Sequence, residues 1–161
     1  MRIIRQKLDI SNIPYPAEQI APLQNILFFD IETTGFTAKR SSIYLIGCAF
    51  YDGTYFRLTQ WFAEKYQEEK KIIASFFDMA KNYTHIVHFN CNIFDIPFIQ
   101  QKCEMYGFSY SFANLRGVDL YRRIEPYKYL LKKPNCKQKS VEAFMGFKRK
   151  YNYKGGNLIN V

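Results

Sequence analysis

The chain has 161 residues and a formal net charge of +9; hydrophobic residues make up 48%, with 15 Phe and 13 Tyr among them. That is enough for one domain with a core that needs no metal or disulfide to staple it, and the composition rules against disorder. The charge is localised: Leu115 to Lys154 holds 12 Lys or Arg against Asp119, Glu125 and Glu142, which accounts for the whole excess. A solvated basic surface and a surface facing a polyanion both fit this.

Residues 1–25, with Pro14, Pro16 and Pro22, read as an irregular lead-in. The opening "MRIIRQKLDI" is charged throughout, and the four cysteines show no close C-x2-C pair. The expectation is a reduced, cytoplasmic setting with no membrane span. Three strands are then predicted: "ILFFDI" (26–31), "SIYLIGCAF" (42–50) and "TYFRLTQW" (54–61). Asp52-Gly53 between the last two predicts a hairpin, hence antiparallel neighbours. From 63 to 83 the spacing turns helical, with Ile72, Phe76 and Ala80 on one stripe and Ile73 and Phe77 beside it. "HIVHFN" (85–90) predicts a fourth strand, 96–106 a helix ended by Gly107, 117–120 a short strand, and 138–145 a short helix stopped at Gly146. The order predicts an α/β fold: a mixed five-stranded sheet, three antiparallel strands followed by helical crossovers.

Strand 26–31 raises a chemical question, because it ends in Asp30 and Glu32. Side chains alternate along a strand, so both acids project to one face. An isolated D-x-E equally marks where a strand leaves the core. A third acid, Asp95, follows the fourth strand in "HFNCNIFDIPF"; if that strand is parallel to the first, the three acids converge. Clustered carboxylates raise one another's pKa, and hard divalent cations with a preference for oxygen ligands relieve that repulsion. An N-cap role is the plainer alternative for Asp95. For Asn90 the choice lies between bonding substrate and fixing the loop, and for Phe94 between packing and base stacking. His85 and His88 lack metal-ligand spacing and read as structural.

Taken together, "LFFDIETTGF", "SIYLIGCAF", "LTQWFAE", "HFNCNIFDIPFI", "VDLYRRIEPYKYLL" and "YKGGNLINV" resemble the YprB-like ribonuclease H-like domain, a relative of the DnaQ-like exonucleases with a four-carboxylate metal site. The resemblance spans 26–161. It implies a ribonuclease H-like sheet, with Asp30, Glu32 and Asp95 as catalytic acids holding two Mg2+ or Mn2+ ions. By the same resemblance Thr33, Thr34 and Asn90 line the substrate end of the site, and Asp119 is structural. The implied activity is metal-dependent hydrolysis of DNA or RNA phosphodiesters in the 3'-5' exonuclease manner. Phe94 and the basic side chains Arg122, Arg123, Lys132, Lys133, Lys137 and Lys139 are the remaining candidate contacts to a nucleic acid, single-stranded or at an end.

Two departures from that pattern are visible. Cys91 stands where the family usually has Gly, and a side chain there crowds the loop. The relatives' fourth acid, and the His or Tyr that orients water, have no counterpart in matching context before Val161. The expectation is therefore a missing C-terminal helix, slow or absent turnover, and self-association through the surface that helix would cover; a nucleic-acid-binding module without catalysis is the competing reading.

Overall fold

The computed structural model describes residues 1–10, 16–132 and 135–147. Among these, six strands form one mixed sheet: β1 (Arg2–Leu8), β2 (Ile26–Thr33), β3 (Ile43–Tyr51), β4 (Phe56–Phe62), β5 (His85–His88) and β6 (Arg116–Asp119), in the order β1-β4-β3-β2-β5-β6. β1, β4, β3 and β2 are successively antiparallel, whereas β2, β5 and β6 run parallel. The helices are α1 (Glu69–Ala80), α2 (Asp95–Tyr106), α3 (Leu120–Ile124) and α4 (Gln138–Phe144). The α/β class and mixed sheet agree with the sequence.

The sixth strand is a correction. β1 lies in the stretch read as an irregular lead-in and pairs with β4 over the register Arg2 to Phe62 through Leu8 to Phe56. It is an edge strand and almost wholly exposed, held by backbone bonds to β4. It therefore lacks the period-2 apolar signal by which a strand is recognised. Pro14 lies outside the described residues, as do Lys133 and the "YKGGNLINV" motif.

β2 is apolar because it is central. Leu27, Phe29 and Ile31 join Ile72, Ile73, Phe76 and Phe77 of α1 and Phe98, Ile99 and Cys103 of α2 in the main core. Phe76, Ile72 and Ile73 are fully buried, and each such side chain contributes about 1.5–3 kcal/mol through removal from water. The alternate residues Ile26 and Phe28 face a smaller cluster with Val87 and Val118. Asp30 and Glu32 continue that second row.

α1 contains the whole apolar stripe but is shorter at both ends than the 63–83 span that the sequence predicts as helical. At its start, the Glu68 carboxylate accepts the backbone N–H groups of Glu64 (3.0 Å) and Lys65 (3.3 Å), holding them in a turn. At its end, the Asn82 amide donates to the carbonyls of Asp78 (3.4 Å) and Met79 (3.1 Å). The Asp52-Gly53 hairpin forms as predicted: the Asp52 carboxylate accepts the N–H groups of Thr54 (2.9 Å) and Tyr55 (2.8 Å), and Gly53 adopts φ 98°.

A buried polar knot ties β3, α1 and α2 together. Glu69 is fully buried; its Oε1 accepts the Ile43 N–H at 2.7 Å, and its Oε2 accepts from Lys102 Nζ at 3.2 Å and from the Tyr106 hydroxyl. A carboxylate this deep is tolerated because nearby donors replace its hydration.

Candidate functional site

β5 stops at His88, so β2 runs on past Phe28, its last residue paired with β5, whose partner is Val87. The flank this leaves open beside Phe29 to Glu32 is filled by the start of α2. The Asp95 carboxylate accepts hydrogen bonds from the Ile31 backbone N–H and the Cys91 thiol. Asp95 is the first residue of α2, and Phe94 occupies the N-cap position without a side-chain cap bond. The N-cap alternative for Asp95 is thus not the geometry that forms.

Asp30 is exposed and stands opposite Gly47 in the β2–β3 register. Having no side chain, Gly47 leaves the sheet bare beside the Asp30 carboxylate. Ligand atoms of Asp30, Cys91 and Asp95 all lie within 4.8 Å of one another. Glu32 is half-buried, and its pKa is raised above the ordinary carboxylate range by burial first and by the Asp95 charge second. Burial likewise raises Asp95, against the hydrogen bonds it accepts. The Glu32 charge in turn adds to burial in raising Tyr44. The strand therefore ends in acids that crowd one another, and such crowding favours protonation or a bound cation.

The loop from β5 to α2 is fixed from below by Asp119. Its Oδ1 accepts the N–H groups of Asn90 (2.9 Å) and Tyr121 (3.0 Å), and its Oδ2 accepts the Asn92 amide (3.2 Å). Asp119 caps α3 and positions the loop, which is a structural role. Asn90 has φ 64°, a left-handed conformation that Asn tolerates better than most residues, so its backbone serves the loop. His88 is buried; its Nδ1 accepts the Cys91 N–H at 3.3 Å and lies 3.9 Å from Asp119. Burial lowers its pKa, opposed by the charges of Asp119 and Asp95. Cys91, flagged by the sequence only as crowding, is fully buried and joins the acids.

Thr33 and Thr34 make the turn that ends β2. Thr33 Oγ1 donates to the Gly35 carbonyl (2.8 Å), and Thr34 Oγ1 accepts the Ser42 N–H (2.9 Å). At Gly35 an added Cβ would lie 2.5 Å from Ser41 Oγ, so a larger residue there would displace that hydroxyl. The turn presents Phe36, 91% exposed, edge-on to Phe94 with ring centroids 6.2 Å apart. Phe94 also packs on Phe98. Phe36, Lys39, Arg40, Ile93, Phe94 and Gln101 line a groove of about 620 Å³. Sequence reasoning missed Phe36; the available signal was an aromatic residue directly after the Thr33-Thr34-Gly35 turn.

A second cavity, about 380 Å³, lies over the open sheet face and is lined by Phe28, Asp30, Glu32, Gly47, Gln60 and Gln138 among others. Gln138 brings the start of α4 to the acids, with Lys137 and Lys139 on either side of it, both exposed. Arg122, Arg123 and Lys132 are also exposed, with Arg122 Nε 3.9 Å from Asp119. No helix among the described residues is long and apolar enough to cross a membrane.

A family model described as RNase_H superfamily matches residues 27–161. Among solved structures, the family B DNA polymerase from the hyperthermophilic archaeon Pyrobaculum calidifontis aligns with a TM-score of 0.57 at 22% identity. That alignment covers 66% of this chain and 16% of the polymerase, and the likeness is one of fold. The simian T-cell lymphotropic virus intasome in complex with PP2A regulatory subunit B56 gamma aligns with a TM-score of 0.30 at 18% identity, over 77% of this chain and 48% of that one, a level that bears on nothing here. No curated protein matches the chain.

Proposed function

Because the chain belongs to the RNase_H superfamily, we propose that it is a metal-dependent nuclease domain of the 3'-5' exonuclease type, hydrolysing phosphodiesters at an unpaired nucleic-acid end. The observation that carries this reading is the convergence of Asp30 and Asp95, from separate elements, to ligand-atom distances within 4.8 Å. Glu32 lies close enough to Asp95 to feel its charge.

Asp30, Glu32 and Asp95 would hold divalent cations of the Mg2+ or Mn2+ kind. Their donor set fits: it is carboxylate-rich, electrostatically crowded and partly open to solvent. Once bound there, such ions supply Lewis acidity, activating water and neutralising charge on a phosphodiester. Asp30 offers its carboxylate from the solvent side, while Asp95 is oriented by the Ile31 N–H. The exposed Phe36 ring stacks on an unpaired base beside the acids. Lys39 and Arg40, in the same groove, meet its phosphates. Lys137, Lys139, Arg122 and Arg123 extend the contact to the backbone beyond, without reading sequence.

An end-labelled single strand incubated with the full chain and Mn2+ or Mg2+ tests this reading, alongside Mn2+ titration followed by electron paramagnetic resonance. Slow stepwise shortening that Asp30→Asn abolishes, with Mn2+ affinity reduced at least about tenfold, is the expected result, the slowness following from the fourth acid that has no counterpart in matching context. Equal Mn2+ affinity in wild type and Asp30→Asn overturns the metal centre. Metal and strand binding without cleavage would make the domain a binding module instead.

A further inference from the structure

We infer that Cys91 turns this centre into a site for a thiophilic divalent cation, of the Zn2+, Cd2+ or Co2+ class, held by one sulfur and two carboxylates. The inference rests on the reading of Asp30 and Asp95 as metal-holding acids, and adds to it a ligand of different chemistry.

The geometry is that of a three-donor pocket. Cys91 Sγ and carboxylate oxygens of Asp30 and Asp95 lie within 4.8 Å of one another. A tetrahedral ion with bonds of about 2.3 Å to sulfur and about 2.0–2.2 Å to oxygen separates its ligands by about 3.5 Å, so modest side-chain rotation closes the set. The donors come from β2, the β5–α2 loop and the first turn of α2, so the fold rather than a flexible segment sets their spacing. The sulfur is tightly placed: the Cys91 N–H is bonded to His88, the preceding Asn90 N–H to Asp119, and Sγ sits 4.0 Å from the Phe29 carbonyl and 3.9 Å from that of Phe89. Cys91 is 0% exposed whereas Asp30 is open to solvent, so an arriving cation meets Asp30 first and reaches the sulfur from the carboxylate side.

Donor softness gives the selectivity. Carboxylates alone suit Mg2+ and Mn2+, whereas a thiolate selects Zn2+ and its soft neighbours. Coordination breaks the Cys91 S–H bond, releases the proton to solvent and forms a sulfur–metal bond, with no change of oxidation state. A thiophilic cation seated this way shares Asp30 and Asp95 with the hard ions and so displaces them, which makes traces of it an inhibitor of the hydrolytic site.

Titration of the full chain with Co2+, followed by near-ultraviolet sulfur-to-cobalt charge-transfer absorption, tests the inference. The expected result is a one-equivalent band in wild type that is lost in both Cys91→Ser and Cys91→Ala, with folding of each variant checked by circular dichroism. Cd2+ should displace Mn2+ from wild type at least about tenfold more effectively than from Cys91→Ser, the scale on which even outer-shell partners alter metal affinity. The remaining cysteines, Cys48, Cys103 and Cys136, are buried; a band that survives in Cys91→Ser would come from one of them and overturns the inference. Mn2+ binding by wild type with no Co2+ band also overturns it and leaves the carboxylate centre standing. Binding of neither ion overturns both.

Discussion

The Ile31 backbone N–H donates to the Asp95 carboxylate, so the residue between the two β2 acids is the one that fastens α2 to the strand. The bond takes up a donor left free where β5 ends, and it fixes the third acid relative to the first two. A tertiary contact between β2 and α2 thus sets the spacing of the acids.

The raised carboxylates should be visible in the stability of the metal-free protein. Glu32 and Asp95 have folded-state pKa values above their ordinary values of 4.5 and 3.8. The folded state therefore binds protons more tightly than the unfolded state. Their contribution is fully present below the ordinary pKa values and is lost as pH rises through the raised ones. In chelator, Asp95→Asn should gain Tm relative to wild type on going from pH 4 to neutrality, because His88, whose depressed pKa acts in the opposite sense, is common to both proteins. Thermal melts of both proteins across this range provide the check.

Removing one partner from the Glu69 knot should be costly. Lys102→Met leaves the buried Glu69 carboxylate with only the Ile43 N–H and the Tyr106 hydroxyl. Breaking a buried pair in this way typically costs about 3–5 kcal/mol. Urea denaturation should show that loss, while Mn2+ affinity of the folded fraction stays at the wild-type value.

Phe36→Ala should weaken binding of a single strand by about 1–3 kcal/mol, the usual contribution of one stacked base. The loss should not depend on salt, because the ring carries no charge. Fluorescence anisotropy at two ionic strengths, with Asp30→Asn as the background to prevent turnover, distinguishes stacking from charge.

The complementary variant, Arg122, Arg123, Lys137 and Lys139 all changed to Ala, should weaken binding about equally across sequences. It should also reduce the slope of log affinity against log salt, by up to about 0.7 for each phosphate of a single strand that is no longer neutralised. An unchanged slope would place the backbone-binding surface elsewhere.

How much of this was legible in the sequence differs between elements. The central strands were readable because burial on two sides demands uninterrupted apolar runs, and the β3–β4 hairpin because Asp52-Gly53 has few other uses. β1 was not, since an edge strand held by backbone pairing needs no apolar pattern. The meeting of Asp30 with Asp95 was foreseeable from the parallel relation of β2 and β5. The place of Cys91 was not, because it depends on which way a side chain turns from a loop whose φ angles the sequence does not announce. Phe36 was missed for the opposite reason: an exposed aromatic residue leaves no periodicity at all.

The exposed first strand has a consequence for solubility. A sheet edge is a template for pairing with another molecule, and charged residues along it are the usual deterrent. β1 carries Arg2, Arg5 and Lys7 on that edge, while the strand behind it, "FRLTQWF", has a single charge. Deleting 1–10 would bare the backbone of β4 beside Trp61, and the shortened protein should precipitate or form ribbon-like aggregates where the intact chain stays dispersed.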